Sequence, residues 1–200
     1  NSVSFFSNAI AGGEYELRDG SFPEGSSSSF YDADNGTCQS ASFAPKNTVS
    51  TSASSGWNAA AISALSNVRA SHNYFHETHG RSSYDNAGGE IVTYVNCNGG
   101  IFPDNAMWSK GSLWFGIGEE NNNWTIARDV GGHELTHAVL EHSSNLLYAD
   151  ESGALNESFA DIFGTMIERE NWFIGEKLFN DGDFVRSLKI PQVKGQPAHM

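Results

Sequence analysis

Positive charge is what this sequence has least of. Eleven Lys and Arg stand against 24 Asp and Glu, a formal net charge of −13, and the basic residues form no cluster. A surface that holds phosphates gathers basic residues on one face, so nucleic acid and anionic membrane are excluded as partners. Long apolar runs are missing too. No stretch approaches the ~20 residues that span a bilayer, which excludes membrane insertion. The first residues carry no secretory signal, so the chain reads as a mature or excised piece. Cysteine is scarce: Cys38 and Cys97 are the two present, neither belongs to a C-x-x-C pair, and spacing alone leaves open whether they join.

What remains is the composition of a folded protein. Two hundred residues, 38% hydrophobic and 12% aromatic, can bury a core in one domain or two small lobes. Residues 1–56 are rich in Ser, Gly, Asn and Asp, with short apolar pieces at 3–6 and 15–17, a pattern of short strands joined by loops. The serine runs at 26–29 and 50–55 read as surface loops. From 57 to 79 the pattern turns helical: Trp57, Ala61, Leu65, Val68, His72 and Phe75 recur at steps of three and four as one apolar stripe, with Gly80 as the stop. His72, His76 and His79 raise a second metal site on this helix, but no carboxylate pattern accompanies them and packing explains the spacing. Strands are predicted at 90–96 and 113–117, and a helix capped by Asp129 runs to about His142. After a turn at 145–150, a second helix at 152–170 is expected to bury Phe159, Ile162, Phe163, Met166 and Ile167.

The motif around which the rest is organised is His133-Glu134-Leu135-Thr136-His137. Four residues are about one helical turn, so both imidazoles share a face, as two corners of a tetrahedral metal site require. Glu134 then flanks the metal without binding it and can take a proton from the attacking water. A third ligand comes from the next acidic stretch, where Glu157 and Asp161 are again four apart and share a face. One can ligate while the other accepts a histidine ring N–H and fixes its tautomer. The longer motif H-E-x-x-H-x-x-G-x-x-H fails, with Leu140 at its glycine and Ser143 at its third histidine, so the third ligand is a carboxylate.

These residues resemble the thermolysin family of zinc endopeptidases. Residues 129–139 (DVGGHELTHAV) and 151–164 (ESGALNESFADIFG) are similar to its two signature helices, and Asn105-Ala106-Met107-Trp108, Tyr148 and 183–187 (DFVRS) agree with it as well. The resemblance implies an α+β fold: a β-rich N-terminal lobe with one long helix over 1–127, then two zinc-binding helices over 128–200 that begin an incomplete helical lobe. Family members continue into that lobe, so the chain is expected to be a fragment or one piece of a nicked enzyme, with apolar surface left exposed on the helices.

The resemblance also implies roles. His133, His137 and Glu157 hold zinc, Glu134 is the general base, Tyr148 donates to the developing oxyanion, and Asp161 orients a histidine. Asn105, Ala106 and Trp108 lie on an exposed strand edge that pairs with an extended peptide. Val130, with Val185, lines a pocket for a hydrophobic residue after the cleaved bond, and Arg186 contacts a substrate carbonyl. Asp129, Glu168 and Glu176 bind one calcium, with Asn171 offering a side-chain oxygen. A secreted protein is implied, with peptide or protein substrates, a pro-segment ahead of Asn1, and a missing C-terminal piece as partners. Two other readings stand beside this one: an inactive or weakly active zinc- or peptide-binding fragment, and a zinc aminopeptidase, for which the Gly-x-Met-Glu-Asn motif is lacking.

Overall fold

The stripe that starts at Trp57 folds as α1 (Ala59–His79). Around it lies the chain that the computed structural model describes, residues 7–197 apart from 12, 23–24, 41–42, 44, 51, 53 and 119–121. The apolar piece at 3–6 and part of the serine run at 50–55 therefore lie outside the described residues. Asn58 caps α1 by accepting the Ala61 N–H at 3.2 Å, and Gly80 ends it at φ 65°, where glycine is unstrained. Ala61, Leu65, Val68, His72 and Phe75 are buried, so stripe and core coincide. His72 is a packing residue: Phe22 stacks on its ring at 4.0 Å, and Ser26 Oγ lies 3.1 Å from Nε2. Ser26 is buried and Ser28 and Ser29 belong to a strand, which corrects the surface loop expected at 26–29. That strand runs against α1, where small side chains fit.

Among the described residues, eight strands form one mixed sheet. They are β1 (Ser7–Ile10), β2 (Glu14–Asp19), β3 (Ser28–Asp32), β4 (Lys46–Asn47), β5 (Val49–Ser50), β6 (Ile91–Cys97), β7 (Ala106–Ser109) and β8 (Ser112–Gly116). Their order is β1-β2-β3-β6-β8-β7, with β4 beside β3 and β5 beside β2. β3 and β6 are parallel, as are β6 and β8, while β7 returns antiparallel to β8. Parallel neighbours need a long crossover, and α1 lies in the one between β3 and β6. Cys97 at the end of β6 is bonded to Cys38, which settles the pairing that spacing left open. β7 and β8 join through Lys110 and Gly111 at φ 52° and 72°, the left-handed pair that a two-residue hairpin requires. This hairpin leaves β7 on the edge of the sheet.

Two helices close the other side of that edge. α2 (Arg128–Glu141) begins after Ala127, so Asp129 is not its cap. Asp129 sits in the first turn instead, fully buried, and accepts the N–H groups of Val130 and Gly175. α3 (Asp150–Glu168) meets α2 through glycine: a Cβ on Gly164 would stand 2.5 Å from the Asp129 carbonyl oxygen, and one on Gly132 would stand 3.2 Å from Gly164 Cα. Only backbones without side chains approach so closely.

The buried face of α3 differs from the one expected. Gly153, Asn156, Ala160, Gly164 and Ile167 are buried, Phe163 is half-buried against Tyr74 and Phe75 of α1, and Phe159, Ile162 and Met166 are exposed. Close helix packing selects small residues for the contact. The apolar side chains left outside run in a stripe with Leu155. Past α3, β9 (Phe173–Ile174) and β10 (Arg186–Ser187) pair antiparallel and carry Arg186 back to the helices.

Candidate metal centre

The contact between α2 and α3 places His133, His137 and Glu157 around one point, with a ligand atom from each within 4.8 Å of the others. His133 Nε2 and His137 Nε2 are 2.9 Å apart, and the Glu157 carboxylate oxygens lie 3.3 and 3.5 Å from them. A cation with N and O ligands at ~2.0–2.1 Å has tetrahedral corners ~3.3 Å apart, so the spacing fits one. The far side of each ring explains the fit. His133 Nδ1 is 2.8 Å from Asp161 Oδ1, and His137 Nδ1 is 2.7 Å from Asn156 Oδ1. Both acceptors draw the ring proton to Nδ1, and both Nε2 lone pairs then face the same point. Two such lone pairs beside a carboxylate repel one another unless a cation lies among them.

Electrostatics tells the same story. Burial disfavours a charge on His133, yet its hydrogen bonds to Asp161 and Glu157 outweigh this and carry its pKa up to about 9. Burial would raise Glu157, but hydrogen bonds from His133 and Tyr148 bring it down to about 2. Asp161 is likewise held below its ordinary range against the cost of its burial, by His133 and by Arg186, whose Nε and Nη2 donate to its two oxygens at 2.8 and 2.7 Å. Groups that favour a proton at Nε2 also favour a metal cation there.

The other expected residues fall into three places. Glu134 lies beside the histidines on α2, and its Oε2 accepts the Trp108 backbone N–H at 2.8 Å. Tyr148, on the exposed loop before α3, places its hydroxyl on Glu157, and burial with this contact pushes its pKa up to about 12, so it remains a donor. Arg186 is tied to Asp161 and comes within 3.4 Å of His133 Nδ1. All of these border a cleft of about 700 Å³. Asn105, Ala106 and Trp108 line it at β7, and Val130, Val185, Trp124 and Ile174 are apolar residues of the same lining.

Asp129, Glu168 and Glu176 converge at the other end of the helix pair, again with oxygens within 4.8 Å. Burial, then repulsion from Glu168, pushes Asp129 up to about 7. Asn171 lies beside this cluster: its oxygen accepts the Phe173 N–H at 2.6 Å, and its amide nitrogen donates to Glu176 at 2.8 Å. Lys177 joins the cluster too, with Nζ 3.1 Å from Glu168 and 2.8 Å from Glu170. Among the described residues, these are the two groups of three or more His, Cys, Asp or Glu whose ligand atoms lie within 4.8 Å of one another.

Sequence reasoning missed Asn156, Trp124, Glu141 and Lys177. Asn156 had a signal: it is a poor helix former beside a ligand, on the helix face that must meet α2. Trp124 had none, since it reaches the cleft from a short 3-10 turn (Trp124–Ile126).

Comparison with known proteins gives the family of the chain. A family model described as the thermolysin metallopeptidase catalytic domain matches residues 1–141, and one described as its alpha-helical domain matches residues 144–200. An extracellular elastase of Staphylococcus epidermidis is 35% identical over 96% of this chain and 38% of its own length. The neutral protease NprE of Bacillus pumilus is 36% identical over 93% of this chain and 62% of its own. Among solved structures, the precursor of protealysin, a metalloproteinase from Serratia proteamaculans, matches with a TM-score of 0.69 and 31% identity over 80% of this chain and 52% of that one. The chain thus spans less than two thirds of each of these relatives.

Proposed function

The chain belongs to the thermolysin metallopeptidase family, and on that premise we propose that it carries the zinc centre and most of the cleft of a secreted endopeptidase. One observation carries the reading: both Nε2 lone pairs and the Glu157 carboxylate face one point, beside Glu134 and an open strand edge. Zinc bound there would polarise the scissile carbonyl and the attacking water. Glu134 takes the proton from that water and passes one to the departing amine. Tyr148, kept protonated, donates to the developing oxyanion once its hydroxyl turns from Glu157. The β7 edge binds the peptide in extended form through main-chain groups, a mode with little side-chain selectivity. Selectivity comes from the apolar lining of the cleft, where Trp124, Val130, Ile174 and Val185 receive a hydrophobic residue on the leaving-group side. Arg186 orients Asp161 and offers its remaining N–H groups to a substrate carbonyl.

Calcium is the second cofactor, held by Asp129, Glu168 and Glu176, whose buried negative charge Lys177 only partly offsets. The Cys38–Cys97 bond suits an oxidising, extracellular setting. The exposed stripe of Leu155, Phe159, Ile162 and Met166 is the seat of further helices, and a pro-segment is the other partner. The test is hydrolysis of an internally quenched, end-blocked peptide with a central Leu or Phe, together with zinc content. Cleavage that a chelator and Glu134→Gln both abolish supports the proposal. Bound zinc without cleavage would make the chain a binding fragment, and cleavage of free-amine peptides alone would make it an aminopeptidase.

A further inference from the structure

Trp108 is bound to α2 twice. Its backbone N–H donates to Glu134 Oε2 at 2.8 Å, and its indole Nε1–H donates to Glu141 Oε2 at 2.5 Å. Glu134 and Glu141 are seven residues apart, about two turns, so both carboxylates rise from one face of α2 toward the edge of the sheet. The two bonds leave Trp108 in different directions, one in the plane of the sheet and one along the side chain. The ring is further braced by Tyr84, with centroids 5.1 Å apart, and Tyr84 in turn meets His142 edge-on at 4.9 Å. Glu141 itself is exposed and belongs to neither group of candidate metal ligands.

We infer that Glu141 is a positioning residue for this site: by holding the Trp108 indole it keeps the edge strand and its Trp108 N–H against the carboxylate of Glu134. The inference rests on the endopeptidase reading for its catalytic consequence and on geometry alone for the clamp. Among the described residues β7 has a single neighbour in the sheet, β8, and a short turn at one end, so its outer side depends on α2 for its place. Without the Glu141 bond the indole can leave α2, the strand edge can shift, and the general base loses a fixed donor. Peptide pairing on the same edge is disturbed as well, so kcat and KM both move.

Four variants separate this from a merely structural role. Glu141→Ala removes acceptor and charge, Glu141→Gln keeps an acceptor, Trp108→Phe keeps a ring without the N–H, and the double variant combines Glu141→Ala with Trp108→Phe. Glu141→Ala is expected to lower kcat/KM about tenfold, as displaced catalytic groups do, with zinc content unchanged. Glu141→Gln should stay within about twofold of the parent because the hydrogen bond survives. In the Trp108→Phe background Glu141→Ala should add less than about twofold, since the two residues act as one unit. The readout independent of activity is exchange of the Trp108 backbone amide followed by NMR. It should quicken at least about fivefold in Glu141→Ala and stay at the parent rate in Glu141→Gln. An unchanged amide exchange in Glu141→Ala overturns the clamp, and equal losses in Glu141→Ala and Glu141→Gln assign the effect to charge. A parent with no zinc-dependent cleavage would sink the endopeptidase reading alone, because the exchange comparison still decides the clamp.

Discussion

The two ends of the α2–α3 pair hold opposite solutions to burying charge. At the histidine end every ligand has a partner behind it, Asp161 for His133, Asn156 for His137 and Tyr148 for Glu157. At the carboxylate end Asp129, Glu168 and Glu176 crowd together, with Lys177 as the nearby cation and two backbone N–H groups on Asp129. The first cluster is shaped by hydrogen bonds made from behind its imidazoles and carboxylate. The second is short of positive charge, so it has the more to gain in stability from a cation. On the function proposed above, the first serves chemistry and the second support.

The largest effect that would break this comparison is at Glu134. Glu134→Gln should keep zinc and lose about 10²–10⁴-fold in kcat/KM, the range for a removed general base; a variant at parental rate would deny Glu134 its role. Gly164→Ala comes next. Its methyl would press on the Asp129 carbonyl at the helix crossing, and a cost of about 1–3 kcal/mol in unfolding free energy is expected, with both metal ions bound more weakly. Were only one site affected, the two would not share a frame. Asn156→Ala sharpens the contrast by acting on one end alone. Zinc affinity should fall about 10–100-fold, as for other orienting partners, while the thermal shift given by calcium stays the same.

The smallest effect is in pH. Asp129, raised to about 7 from an ordinary 3.8, holds its proton more tightly folded than unfolded. Across that window the native state binds the more protons, so stability falls as pH rises from about 4 to 7. With zinc and calcium both chelated, the melting temperature should therefore decline over this range. Calcium should flatten the decline, and a flat profile in its absence would contradict the reading.

Much of this frame was legible in the sequence, for reasons that differ by residue. His133 and His137 are legible because one helical turn admits few arrangements, and α1 because large apolar residues mark its buried side. α3 is legible in part: Ile167 and Phe163 meet the core as hydrophobic periodicity expects, but Phe159, Ile162 and Met166 stay exposed because the crossing selects for size and buries Gly164 and Ala160. Lys177 is out of reach, since a side chain's partner at the acidic cluster depends on how the following loop turns. The serines at 26–29 misled because composition marks loops only where nothing packs above them.

The Cys38–Cys97 bond has a consequence for proteolysis. It closes a covalent ring over α1, β4, β5 and β6 and over the turns between them, including the described residues of the serine-rich stretch at 50–55. One cut anywhere inside that ring opens a gap in the backbone yet leaves both ends on the same molecule. Damage that would divide an open chain is here converted into a nick, and the histidine-bearing half keeps its sheet.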